Sequence, residues 1–302
     1  MSHEYPLSYY AATSPISLPR RPLVRDQTAE VVVVGGGYSG LSAALSLAER
    51  GYSVRLVEQA RIGWGASGRN GGQVTAGTAK GIATVAKSFG KYAAQQVWPM
   101  TREAVRLVDK RIKMGAIACD QTPGVLAAAI SPSHMVSINE EVELLARDFN
   151  DTGTEVWSRE QVQSAMQTER YLGGSYDPTS FHINPLKFCL GLAQLAEQAG
   201  VMIHEESPVI KVNHGAKPVV VTDQGSVTAD FVVLATNAYG VGLVKELVGH
   251  LMPVASIIMA TEPLGALGRE VYPKPIAVAD CNFILDYFRP SPEGRLLFGG
   301  RA

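Results

Sequence analysis

Residues 30–40 read EVVVVGGGYSG, and no other stretch limits the fold of this chain so strongly. The β-branched run Val31 to Val34 predicts a buried strand, and it enters Gly35-x-Gly37-x-x-Gly40 without a spacer. The alanine-rich residues from Leu41 to Ala48 then follow a helical pattern. A second apolar run, Ser53 to Val57, ends in Glu58, eighteen residues past Gly40. Strand, glycine turn, helix, strand and terminal acid are the parts of a dinucleotide-binding βαβ unit. Gly35 permits the tight turn, Gly37 leaves the backbone open to a pyrophosphate, and Gly40 lets the helix approach the strand. The start of the helix offers N–H groups and a partial positive charge to phosphates, with Tyr38 and Ser39 beside it as candidate cofactor-binding residues. Glu58 is placed to accept from both ribose hydroxyls and to repel a 2′-phosphate. The fingerprint alone does not separate NAD from FAD.

The chain has 302 residues, a formal net charge of −1 and 46% apolar residues, which allows a sizeable core in two lobes. So balanced a charge gives no footprint for nucleic acid. Apolar runs fall short of the ~20 residues of a membrane helix. Residues 1–22 lack the apolar core of a signal peptide and predict an extended surface arm. Cys119, Cys189 and Cys281 are scattered, with no C-x-x-C, as expected of reduced thiols in a cytoplasmic protein. His182, His204, His214 and His250 lack metal-ligand spacing, so no metal is expected.

Past Glu58, the glycine-rich segment 61–81 interleaves Trp64, Arg69, Asn70 and Gln73 with bare backbone and predicts a ligand loop. Residues 91–113 predict a helix with Val97, Met100, Thr101, Ala104, Val105 and Val108 on its buried stripe. A strand pair around Pro123-Gly124 and a helix from Ser133 to Asn150, capped by Ser133, follow. Short strands and turns fill 156–184, and Pro185 to Gln198 predicts a helix closed by Gly200. From Val201 the pattern is a strand, a hairpin and the buried-type strand Phe231 to Ala235, with later strands at 253–261, 283–289 and 295–299. The expected class is α/β: a Rossmann-type domain made of 28–90 and 180–240, and an α+β substrate domain with an antiparallel sheet made of 91–179 and 241–302. Residues 1–27 form the arm.

The segments VVVGGGYSGLSAAL, LVEQARIGWGASGRNGGQ, SFHINP, FVVLATNAY and DCNFILDYFRPSPEGRLLFGG together resemble the D-amino-acid-oxidase-like FAD-dependent oxidoreductases. GASGRNGGQ and DCNFILDYFR are far more specific than the nucleotide fingerprint. The resemblance selects FAD. It implies that Gly35, Gly37, Ser39 and Gly40 hold the pyrophosphate and Glu58 the adenosine ribose. It also implies that Ala66, Ser67, Arg69, Asn70, Gly71, Gly72 and Gln73 run toward the flavin ring. Val209 would touch the adenine, and Ala235 and Thr236 would close over the nucleotide. Members of the family run about a hundred residues further than this chain, so the resemblance implies that the C-terminal part of the family fold is missing.

The activity implied is oxidation of the primary amine of γ-glutamylputrescine or a related polyamine conjugate to an aldehyde, releasing ammonia and, with molecular oxygen as acceptor, hydrogen peroxide. A glycine- or sarcosine-type oxidase, or a flavin-binding fragment without turnover, are the alternatives. On the substrate side stand His182, Tyr287 and Arg289. His182 is either a substrate-facing group or a hydrogen-bonded core histidine. Tyr287 and Arg289 alternate on a strand and share a face; Arg289 either pairs a substrate carboxylate or ties to Asp280 or Asp286.

Overall fold

A computed structural model describes residues 4–240, 242–244 and 247–300. The chain opens with a short helix α1 (Tyr9–Thr13), followed by β1 (Gln27–Val34), α2 (Tyr38–Ala48) and β2 (Val54–Val57). After the glycine-rich loop come β3 (Gln73–Val74), α3 (Ile82–Phe89) and α4 (Lys91–Met114). The middle of the chain holds β4 (Thr122–Ala129), α5 (Pro132–Phe149), β5 (Glu155–Ser158), α6 (Arg159–Ala165) and β6 (Gly173–His182). Next are α7 (Pro185–Gln198), β7 (Met202–His204), β8 (Val209–Asn213), β9 (Val219–Thr222) and β10 (Ser226–Leu234). The last elements are β11 (Ile257–Ala260), α8 (Gly265–Val271), β12 (Ala277–Asp280), β13 (Tyr287–Pro290) and β14 (Leu296–Gly300).

Two compact units result. The first comprises Met1–Asn70, Ile112–Cys119 and Pro185–Val254; the second comprises Gly71–Arg111, Asp120–Asn184 and Ala255–Ala302. The expected breaks at 90/91, 179/180 and 240/241 thus differ from the changes of unit at 70/71, 111/112, 119/120, 184/185 and 254/255. The glycine-rich loop is divided between the units after Asn70.

In the first unit, six strands lie in the order β7-β2-β1-β10-β9-β8. β7, β2, β1 and β10 are parallel, and β9 and β8 return antiparallel. Val31–Val34 lies opposite Val54–Val57 on one side and Phe231–Leu234 on the other. A strand hydrogen-bonded on both edges and covered on both faces reads as a continuous apolar run, and all four valines are buried. The chain leaves β1 in one direction to reach β2, while β10 flanks it from the other. That reversal opens a crevice at the C-terminal strand ends.

The second unit carries the order β11-β14-β13-β12-β4-β6-β3, with β5 also paired to β6. Only β12 and β4 run parallel among these pairs; the others are antiparallel. Leu126, Trp157, Val162, Ile276 and Val278 form one of its cores.

Several expectations need correction. The strand pair at Pro123-Gly124 is one strand, β4, because Gly124 at φ +96° is absorbed as a register shift between Pro123 and Val125. Ser131, not Ser133, caps α5, since Pro132 occupies the start of the helix and Ser131 Oγ accepts from His134 N–H. The buried stripe of α4 is Ala94, Trp98, Val105 and Ile112, with Met100 and Ala104 turned outward. Helix α6 and strand β12 were not expected, and 283–286 is a turn pinned by Asp280, which accepts from Asn282 N–H and Asp286 N–H. The strand at 231–235 is the second half of the longer β10. The arm lies over the surface for much of its length, with Tyr10 and Leu23 turned inward and buried.

Candidate functional site

The crevice of the first unit is a cleft of about 290 Å³ lined by Gly35, Gly37, Glu58, Ala66, Ser67, Val209, Ala235 and Thr236 among others. That size is near the lower end of small-molecule clefts. The glycines leave no side chain in it. A Cβ on Gly37 would stand 2.8 Å from Ser67 Oγ. A Cβ on Gly40 would overlap the Gly35 carbonyl oxygen, so the helix–strand approach there admits only glycine. Gly35 itself sits at φ +112°, a conformation that side chains resist.

Helix α2 begins at this cleft with no side chain of its own at the cap. Its first turn is met instead by Ser67, whose Oγ accepts from Tyr38 N–H at 3.1 Å. Across the cleft, Glu58 accepts from Gly36 N–H at 2.6 Å and Ala60 N–H at 2.9 Å. Burial raises the Glu58 pKa, and these amide bonds oppose the rise. A helix start whose cap residue is a glycine, a side-chain-free cradle and a carboxylate fixed by main-chain amides together suit an anionic diphosphate joined to a ribose.

Ser39 and Gly40 lie in the first turn of α2 but do not line the cleft, and neither does Tyr38. Tyr38 packs on Phe188 of α7, with its phenol donating to Pro185 O at 3.2 Å. Arg69 stacks over Trp64 at 4.9 Å and donates to the Tyr239 hydroxyl at 3.2 Å. Asn70 donates to Ser67 O and Ala66 O and so stiffens the turn that presents Ser67. Tyr239 and Asn237 also line the cleft. Asn237 adopts φ +48°, and the Thr-Asn-Ala-Tyr stretch after β10 was the signal that a turn closes the crevice there.

The second unit brings together Gly71, Gly72, Gln73, His182, Tyr287 and Arg289. β3 pairs with the end of β6, setting Gln73 opposite His182, and Gln73 Nε2 donates to Val278 O at 3.0 Å. Arg289 is buried. Its Nε donates to Gly71 O at 2.7 Å and its Nη2 to Ile183 O at 2.8 Å. The guanidinium therefore ties β13 to the loop and to β6, where the sequence predicted a substrate carboxylate or a salt bridge to Asp280 or Asp286. His182 is 2% exposed. Its Nε2 donates to Pro275 O at 2.8 Å and its Nδ1 faces Arg289 Nη1 at 3.5 Å. Burial, then the Arg289 charge, holds its pKa down at about 4, so the ring is neutral with both nitrogens engaged. Of the two expected roles, the geometry matches the core histidine. Tyr287 is only half-buried. Its ring lies over Gly299, its cross-strand neighbour, and reaches Gly71, leaving space for a Cβ at neither glycine.

A larger groove of about 860 Å³ in the second unit lies between α4, the 149–153 turn and the end of β6. Arg102 dominates it, bonding both oxygens of Asp151 at 2.6 and 2.9 Å and Asp177 at 2.6 Å. The Asp151 pKa is lowered, chiefly by Arg102. Asp177 is also lowered, because Thr179, Ser180 and Arg102 outweigh the effect of its burial. These charges satisfy one another, and nothing in the groove resembles redox or nucleotide chemistry. Among the described residues, no helix is long and apolar enough to cross a membrane, and no three His, Cys, Asp or Glu side chains converge as a metal set.

Residues 30–302 match the family model described as DAO, FAD dependent oxidoreductase. The chain is 38% identical over 299 residues to a γ-glutamylputrescine oxidoreductase of Escherichia coli (strain K12), covering 98% of this chain and 70% of that protein. It is 37% identical to a probable oxidoreductase, OrdL, of Haemophilus influenzae, with the same coverage. Among solved structures, an L-amino acid deaminase from Proteus myxofaciens superposes with a TM-score of 0.72 at 20% identity, covering 95% of this chain and 61% of that one. A glycine oxidase from Geobacillus kaustophilus superposes with a TM-score of 0.69 at 20% identity, covering 91% and 71%. At that identity the two structures speak for the fold.

Proposed function

This chain belongs to the DAO family of FAD-dependent oxidoreductases, and on that premise we propose that it oxidises the primary amine of γ-glutamylputrescine or a related polyamine conjugate to the aldehyde. The observation that carries this substrate is the 38% identity to γ-glutamylputrescine oxidoreductase across 98% of the chain. FAD, when bound, supplies the two-electron oxidation that turns an amine into an imine, which water hydrolyses to aldehyde and ammonia, with dioxygen as the acceptor that yields hydrogen peroxide. The chain's own residues bind and orient. Gly35 and Gly37 hold the diphosphate at the start of α2, with Gly40 keeping that helix against β1, Ser39 and Tyr38 in its first turn, and Ser67 steadying that turn. Glu58 accepts from the ribose. Val209, Ala235 and Thr236 enclose the adenosine end. Ala66, Arg69, Asn70, Gly71, Gly72 and Gln73 carry the main chain toward the flavin ring.

On the substrate side, Tyr287 is the group with accessible surface. Arg289 and His182 serve it indirectly: Arg289 holds the Gly71 main chain and the end of β6 in place, and His182 ties the end of β6 to Pro275 O and packs against Arg289. Three free cysteines, two of them buried, support a cytoplasmic setting. The test is purified protein, checked for bound flavin by its visible spectrum and assayed for peroxide and ammonia against γ-glutamylputrescine, putrescine, glycine and sarcosine. Bleaching of the flavin by γ-glutamylputrescine without oxygen is the expected result. Turnover of glycine or sarcosine alone would overturn the substrate.

A further inference from the structure

The N-terminal arm makes a set of polar contacts whose targets all lie in one place. Tyr5 Oη donates to Ile62 O at 2.6 Å, and Tyr10 Oη donates to Asn70 O at 2.8 Å. Trp64 Nε1 donates back to Glu4 O at 2.8 Å, and Arg61 donates to Ser17 O at 2.6 Å. The fully buried Glu205 joins the same two segments, accepting from Arg20 N–H at 2.7 Å and from Ile62 N–H at 2.6 Å. Segment 61–70 is therefore gripped along its length by residues 4–20. Its other side lines the nucleotide cleft through Gly63 to Ser67.

Two of these contacts lead directly into the cleft. The Ile62–Gly63 peptide accepts from Tyr5 through its C=O, while its N–H donates to Gly36 O at 3.0 Å. That peptide is a rigid plane, so the phenol on one edge sets the height of the glycine turn on the other. The Ile62 side chain also fills the space beside Gly36, where a Cβ would stand 2.6 Å from its Cδ1. The second route starts at Tyr10. It fixes the Asn70 carbonyl, the Asn70 amide fixes Ser67 O, and Ser67 Oγ meets the start of α2. Burial, then Glu205, raises the Tyr5 pKa well above its ordinary range, so it stays a donor at working pH.

We propose that the arm is a strap for the cofactor site, and that Tyr5 and Tyr10 are positioning residues that set FAD affinity through Gly36 and Ser67. This rests on reading the cleft as the FAD site. The test pairs FAD titration of the apoprotein with amide hydrogen exchange over residues 61–70, in Tyr5→Phe, Tyr10→Phe and the double variant. Leu7→Ala, at a fully exposed arm position, is the control.

Each hydroxyl removed should weaken FAD binding severalfold and raise exchange at 61–70, alongside a modest fall in the apoprotein's melting temperature, since each bond is also made without the cofactor. Leu7→Ala should match the wild type. A lowered melting temperature with FAD affinity and exchange at 61–70 unchanged would overturn the proposal, leaving the arm as mere packing. If the double variant fails to fold, the single variants decide by the same readouts. Failure of the cofactor reading looks different: the wild type would take up no FAD, or Gly37→Val would bind it undiminished, while exchange still reports on the strap.

Discussion

The two units hold their candidate sites by opposite means. In the first, nearly everything that matters lies within about thirty consecutive residues and depends on main chain: glycines at 35, 37 and 40, one carboxylate, one hydroxyl. In the second, segments 71–73, 182–183 and 287–289 are far apart in sequence and meet around a buried guanidinium, Arg289. A site made by removing side chains tolerates no additions, and a site made by a central side chain tolerates no removal.

The sharpest way to break this contrast is Gly40→Val. The added atoms would occupy the place of the Gly35 carbonyl oxygen, so a loss of more than about 4 kcal/mol is expected, with failure to retain flavin. A stable, yellow variant by denaturant titration and spectrum would break it. Next comes Arg289→Met, which leaves the Gly71 and Ile183 carbonyls without their bonds from Arg289. About 3 kcal/mol of destabilisation is expected. Arg289→Lys should recover little, because one ammonium lacks the fork that spans both oxygens.

A pH titration sharpens the second half of the comparison. The His182 pKa falls from 6.5 to about 4 in the folded chain. Its contribution is therefore complete above pH 6.5 and is lost as the pH falls through 4, by up to about 3 kcal/mol. His182→Gln should flatten that part of the stability curve; an unchanged slope would sink the assignment. The smallest effect belongs to Glu58→Gln. One amide N–H loses an acceptor and the ribose loses a charged partner, so FAD should bind about tenfold more weakly, roughly 1.4 kcal/mol, with the melting temperature of the apoprotein little altered.

Legibility in the sequence followed the same divide. The βαβ unit, α7 and the strands from β7 to β10 were readable because local period and glycine placement determine them. Gly35, Gly37 and Glu58 in the cleft were readable for that reason too, whereas Ala66 and Ser67 were named only through the family resemblance. Helix α6 also has a local signature: Ser158 and Gln161 form a capping box in the structure, and S-x-x-Q is its sequence form. The internal role of Arg289 had no local signature. Alternation along β13 placed it on the same face as Tyr287, but only the register of β13 with β14 and of β3 with β6 shows which atoms it meets. The contacts of the arm were hidden for a related reason: its tyrosines look like surface aromatics until the backbone carbonyls they seek have been placed by the fold.

The ring of Tyr287, resting on two glycines, has one more consequence. Most aromatic side chains leave behind an oily hole when cut back, which neighbouring hydrocarbon partly refills. Here the vacated notch would be bordered on those sides by peptide groups of Gly71 and Gly299. Such a notch attracts water, so shortening this side chain would wet the surface it now keeps dry.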